Sequence, residues 1–184
     1  MKTTFKILYK KDAILDTNVV SDLKELGILS LVKLIFNNVY ISKNCEIEEL
    51  DEETALLVQA EGFIEAHLER NDSYEKFIEL KKKYPKLSTS DVIVICIANE
   101  KGIICCTNDK RARKASEDLN IEVAGTIGIM ACAYENAGFV PLESYRLLRD
   151  DGNKELNNYD AEENIHNNES FTALFKDPTP VSEV

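Results

Sequence analysis

The stretch AILDTNVVSDL, residues 13–23, decides the fold. Ala13, Ile14 and Leu15 form an unbroken apolar run that stops at Asp16. A short run without polar alternation is what a strand covered on both faces needs, so these residues predict a buried strand of a mostly parallel sheet. Beyond Thr17 and Asn18 the segment VSDLKELGILSLVKLIF, 20–36, changes to helical spacing and is interrupted at Gly27, which predicts two helices. A carboxylate at the end of a buried strand loses hydration, and it stays charged only if something offsets that loss. Asp16 therefore raises the question of what it holds.

Working outward, strands and helices alternate. NVYIS, 38–42, reads as a strand, and NCEIEELDEETALLVQA, 44–60, as one amphipathic helix capped by Asn44. FIEAHLE, 63–69, fits strand or helix. SYEKFIELKKKY, 73–84, is a helix that Pro85 ends. STSDVIVICIANEKG, 88–102, begins with hydroxyl residues suited to an N-cap and closes on Gly102 as a C-cap. IICCT, 103–107, is a strand, DKRARKASEDL, 109–119, a helix, IEVA, 121–124, a strand, and TIGIMACAYENAG, 126–138, a helix with a glycine stop. The expected architecture is α/β, three layers with helices on both faces of a mostly parallel sheet, and ligands bind such sheets at the carboxyl ends of the strands.

Two domains of behaviour are expected: a folded unit over residues 1–149 and an acidic, mobile or loosely docked tail over 150–184. The tail holds nine acids and two bases, so the net charge of −11 reduces to −4 over the first 149 residues. There the bases cluster, in KKKYPK, 81–86, and DKRARK, 109–114. The five cysteines are odd in number, lie mostly in apolar runs and include no CxxC pair, which points to a reducing compartment and packing roles. On a strand Cys105 and Cys106 face opposite sides of the sheet. With the two histidines far from any cysteine, nothing suggests zinc. No apolar stretch approaches membrane-spanning length, and the expected location is cytoplasmic, with no membrane partner.

IICCTND repeats the pattern of AILDTN: an apolar strand ending in Thr107, Asn108 and Asp109. Two parallel strands that both end in acids bring like charges to one edge, which calls for a counterion. Asp91 starts a helix whose next seven residues, VIVICIA, are all apolar, so it sits at the boundary of core and solvent; taken alone, helix capping beside Thr89 and Ser90 is the better account of it. In EIEELDEE the buried stripe of Ile47, Leu50, Leu57 and Val58 puts Glu48 at its rim, with Asp51 as rival. Carboxylates without His or Cys are hard oxygen ligands and select Mg²⁺ or Mn²⁺. Such an ion activates water and stabilises a leaving oxygen at a phosphodiester, with Thr17, Asn18, Thr107 and Asn108 orienting the carboxylates.

At these residues the sequence resembles the PIN-domain nucleases: LDTNVV, VYISKNCEIEEL, STSDVIVICIANEKG and IICCTNDKRAR occur in the family's order and spacing. VAGTIGIMACAYENAGFVPLES is similar to a subgroup of predicted prokaryotic PIN proteins with a GTxG helix. The resemblance implies a metal-dependent endoribonuclease with Asp16, Glu48, Asp91 and Asp109 as the catalytic and metal-holding quartet. Lys110, Arg111 and Arg113 are the cations expected to hold RNA. Family members also act as toxins paired with an antitoxin and as homodimers, and both partners are expectations here. The alternatives are an inactive PIN-fold RNA-binding or protein-interaction module and a haloacid-dehalogenase-like phosphatase. The phosphatase lacks its second acid, because Asn18 stands two residues after Asp16, and a response-receiver fold lacks a lysine in IEVAG.

Overall fold

Ala13, Ile14 and Leu15 are fully buried, and their alternating side chains serve two separate cores. The computed structural model describes residues 8–43 and 50–137, with side chains through residue 133. Glu48, Cys45, Asn44 and the expected tail at 150–184 lie outside the described residues.

In chain order the elements are β1 (Ala13–Leu15), α1 (Thr17–Glu25), a 3-10 turn (Leu29–Leu31) leading into α2 (Val32–Ile35), β2 (Val39–Ser42), α3 (Glu52–Ala60), β3 (Ile64–Ala66), α4 (Asn71–Lys83), α5 (Thr89–Lys101), β4 (Ile104–Cys106), α6 (Lys110–Glu117), β5 (Val123–Ala124) and α7 (Thr126–Ala137). The strands form one sheet in the order β3-β2-β1-β4-β5, and every pairing is parallel. The register sets Leu15 beside both Ile41 and Cys106. The chain winds outward from β1 to β3 on one side and from β4 to β5 on the other, so the switch point lies between β1 and β4.

One face of the sheet (Ala13, Leu15, Val39, Ile41, Ile104, Cys106) packs against α1, α2, Val58 of α3 and Ile129, Met130, Cys132 and Ala133 of α7. The other (Ile14, Tyr40, Ala66, Cys105) packs against α4, α5 and α6. The expected three-layer α/β/α architecture is the observed one, and Cys105 and Cys106 do point to opposite cores. Helix α5 carries most of the second: Val92, Val94, Ile95, Cys96, Ile97 and Ala98 are all buried. Each fully buried Val or Ile contributes about 1.5–3 kcal/mol. The helix begins at Ser88, whose hydroxyl accepts from the Asp91 amide at 2.9 Å, and ends at Gly102 with φ +64°, a conformation glycine adopts without steric cost. No helix among the described residues is long and apolar enough to cross a membrane.

One expected element differs. The span 44–60, read as one helix, is broken at 50–51 and is helical from Glu52 on, residues 44–49 lying outside the described residues. Leu50 is in a bend and Asp51 is extended, its carboxylate accepting from the Thr54 amide at 2.9 Å and the Thr54 hydroxyl at 2.6 Å. An Asp that caps its own helix cannot continue one from before it. Of the buried stripe drawn through that span, Val58 is buried and Leu50 packs partly buried against the same core, but Leu57 is 38% exposed, and Ile47 lies outside the described residues. Asp51, the rival to Glu48, is thus an exposed cap tied to Lys24 of α1 at 3.4 Å.

Candidate active site

The carboxyl edge of the sheet collects the acids because of how each strand ends. Asp16 directly follows β1, and its amide extends the ladder by donating to the Cys106 carbonyl at 2.9 Å. Thr107, Asn108 and Asp109 follow β4. Helix α5 runs into β4 from the opposite direction, so its first turn, with Asp91, returns to this same edge.

Asp16 is only 2% exposed. Its Oδ1 accepts from the Thr17 amide at 2.9 Å and lies 3.4 Å from the Thr17 hydroxyl. Its Oδ2 accepts from Thr107 Oγ1 at 3.2 Å and, at the limit of a hydrogen bond, from Asn18 Nδ2 at 3.5 Å. The same Thr107 hydroxyl accepts from the Asp109 amide at 3.2 Å, so one side chain links the first acid to the last. Asp109 caps α6 through Oδ1, which takes the Arg111 and Ala112 amides at 2.8 Å each. Asp91 completes a capping box, its Oδ2 accepting from the Ser88 amide at 2.9 Å. The remaining oxygens, Asp109 Oδ2 and Asp91 Oδ1, take no hydrogen bond among the described residues.

All three acids therefore sit at helix N-termini, of α1, α5 and α6, where the partial positive charge of exposed amides offsets part of their mutual repulsion. Their common location is felt by Cys105 beneath them: burial pushes its thiol up to about 12, and the charges of Asp16 and Asp91 add to the shift. Among the described residues no group of three Asp, Glu, His or Cys side chains forms a ready metal cage. The donor set still fits a hard, hydrated cation, since Mg²⁺ is commonly held by one or two carboxylates and keeps several waters. A buried orphan points the same way: the hydroxyl of Ser42, at the carboxyl end of β2, is fully buried with no hydrogen-bond partner among the described residues.

Asn108, expected to orient these acids, makes its hydrogen bonds to Asp22 and Thr126 instead of to any of the three. Its Nδ2 donates to Asp22 Oδ2 at 2.6 Å and to Thr126 Oγ1 at 2.8 Å, and its Oδ1 accepts from the Thr126 amide at 3.0 Å. Thr126 Oγ1 also donates to Asp22 at 2.9 Å. Asp22 is half-buried, and burial, above all, raises its pKa. This carboxylate was not among the sequence candidates. Its only local signal is its place beside Leu23 in the buried stripe of α1, because its partners are 86 and 104 positions away. The first glycine of the GTxG segment has a steric reason: a Cβ on Gly125 would lie 2.6 Å from Asn108 Oδ1.

Of the three cations, Lys110 and Arg111 are exposed on the first turn of α6. Arg113 is turned inward instead, its Nη1 donating to the Thr107 carbonyl at 3.2 Å, where it fastens the acid-bearing loop. The two basic stretches meet in space through Asp118, which pairs with Lys83 at 2.6 Å and Lys114 at 2.9 Å.

A sequence model of the PIN domain matches residues 12–147, most of the chain. No curated protein matches it. Among solved structures, the crystal structure of FitAcB from Neisseria gonorrhoeae is similar at 16% sequence identity and a TM-score of 0.41, over 62% of this chain and 98% of that one.

Proposed function

We propose, from the premise that this chain belongs to the PIN domain family, that it is a metal-dependent endoribonuclease cutting RNA phosphodiester bonds. The observation that carries the reading is the single hydroxyl of Thr107 joining Asp16 to the Asp109 turn at the switch point, with the N-terminus of α5 bringing Asp91 to the same edge.

Asp16, Asp91 and Asp109, with Glu48 from the segment after β2, are the residues that would hold Mg²⁺ or Mn²⁺. When bound, the cation supplies activation of water for in-line attack and stabilisation of the leaving oxygen. The chain's own part is positional. Thr17 and Thr107 fix both oxygens of the Asp16 carboxylate, with Asn18 at longer range, and capping bonds fix Asp91 and Asp109 through one oxygen each. Lys110 and Arg111 follow Asp109 on the first turn of α6 and would receive phosphates of the RNA backbone, while Arg113 holds the loop from within. An antitoxin partner and a homodimer belong to the same proposal, carried over from the family.

Cleavage of an end-labelled oligoribonucleotide by the full chain, in Mg²⁺, in Mn²⁺ and in EDTA, tests this. Cleavage should require the metal and fall at least about 100-fold in Asp16→Asn and in Asp91→Asn, the scale on which loss of a pre-organised electrostatic group acts. Equal cleavage by both variants would mean that the acids are not the site. Metal binding and RNA binding without cleavage would favour the inactive-module reading, and hydrolysis confined to a phosphomonoester would favour a phosphatase.

A further inference from the structure

We propose that Ser42 belongs to the metal site: its hydroxyl is a further oxygen contact for a hydrated divalent cation, on the side of Asp16 opposite Thr107. The inference rests on the nuclease reading above and adds to it a residue from a third strand.

The register places Ser42 there. Leu15 pairs with Ile41 on one side and Cys106 on the other, so one position further on Ser42, the last residue of β2, stands abreast of Asp16 and Thr107, the residues directly after β1 and β4. Neighbouring strands are about 5 Å apart. Ile41, Leu15 and Cys106 point to the core under α1 and α7, whereas Tyr40, Ile14 and Cys105 point to the core under α5. Alternation then turns Ser42, Asp16 and Thr107 toward the α5 side. The Thr107–Asp16 hydrogen bond bears this out for two of the three. Helix α5 packs across all three strands, and its first turn carries Asp91.

Chemistry makes the hydroxyl conspicuous. Ser42 is 0% exposed, and its Oγ is the one buried side-chain oxygen or nitrogen without a hydrogen-bond partner among the described residues. Other buried hydroxyls are satisfied: Thr54, Ser116, Thr107 and Thr126 each have a named partner. Burying a hydroxyl without a partner is unfavourable, and such groups in native proteins commonly mark a place for water or an ion. A cation at Asp16 and Asp91 that keeps part of its water shell presents water oxygens at this level of the sheet, and a serine hydroxyl both donates to and accepts from them. A purely structural serine makes the opposite demand, since it needs a partner in the metal-free chain.

The two roles differ in the sign of a measurable effect. In the metal-free full chain, Ser42→Ala removes an unsatisfied buried group, so the melting temperature should stay level or rise. In Mn²⁺ titrations by calorimetry, the same variant should bind about five-fold more weakly, the equivalent of one hydrogen bond. Ser42→Thr, which keeps the hydroxyl, should bind Mn²⁺ within about two-fold of the unaltered chain, the test of rescue. A lower melting temperature of metal-free Ser42→Ala, or unchanged Mn²⁺ affinity, would overturn the assignment of Ser42 and leave the nuclease reading intact. Absence of Mn²⁺ binding by the unaltered chain would overturn both.

Discussion

Replacing Thr107 with valine removes one hydroxyl and little else, because the two side chains have nearly the same shape. Thr107 is 1% exposed, and its Oγ1 makes two bonds of 3.2 Å, donating to the Asp16 carboxylate and accepting from the Asp109 amide. A hydrogen bond to a charged group is worth about 1.5–3 kcal/mol and a neutral one about 0.5–1.5 kcal/mol, and both lengths are toward the long end. Taking the lower half of each range, Thr107→Val should cost about 2–3 kcal/mol. With an m-value of about 2 kcal/mol/M, the urea midpoint should fall by roughly 1 M at unchanged slope. Thr107→Ser keeps the hydroxyl and loses one methyl, at a cost of about 1 kcal/mol. If valine shifted the midpoint no more than serine does, the hydroxyl would not be what joins the two acid-bearing turns. The same variant bears on function, since it unties Asp16 from Asp109 without altering either acid: RNA cleavage should drop by more than the change in folded fraction explains.

Ser88→Ala takes away the hydroxyl that caps α5 and should cost about 1 kcal/mol by urea denaturation; an unchanged midpoint would mean that the Asp91 half of the capping box suffices. Asp22 has its pKa raised in the folded state, mainly by burial, so between its unfolded value of 3.8 and the raised one the native chain binds more protons. Its contribution therefore declines as pH rises through that window. The stability of the unaltered chain relative to Asp22→Asn should fall from pH 4 toward neutrality, and a difference that grows with pH would contradict this. Burial pushes the thiols of Cys96 and Cys105 up to about 12 and that of Cys106 well above its ordinary value. Peptide mapping after iodoacetamide at pH 8 should find these three unmodified in the folded chain and modified in urea; rapid labelling when folded would place them nearer solvent than the packing shows.

Much of the fold was legible because its decisive signals are local. A wholly apolar triplet with an acid within the next three residues marks both β1 and β4, and a parallel sheet covered on two faces gives such strands no polar side to display. Helix α5 was readable at both ends, since Ser88 and Gly102 each act within their own turn. The span 44–60 was misread for the same local reason working in reverse. Apolar spacing continues through Leu50, but Asp51 with Thr54 three residues on is also a cap, and hydrogen bonding to its own backbone outweighs a stripe that leaves Leu57 38% exposed. The choice of Glu48 was drawn on a wheel that this break interrupts, so a variant there, Glu48→Gln, carries independent weight beside Asp16→Asn in the cleavage assay.

The candidate site divides along the same line. Asp16, Asp91 and Asp109 could be found because each ends a strand or begins a helix, and a helix N-terminus announces itself in sequence. Asp22 and Thr126 could not, nor could the partners of Asn108, because what these residues do depends on contacts brought together only by the parallel crossovers that set β1, β4 and β5 side by side. The consequence is a loop held from two directions. Thr107 is bound to Asp16 and Arg113, and Asn108 to Asp22 and Thr126, with Gly125 leaving the space that Asn108 Oδ1 fills. Asp109, the next residue, inherits its position from both clamps. An acidic edge can be read one strand at a time, but the rigidity that sets its spacing is a property of the assembled sheet.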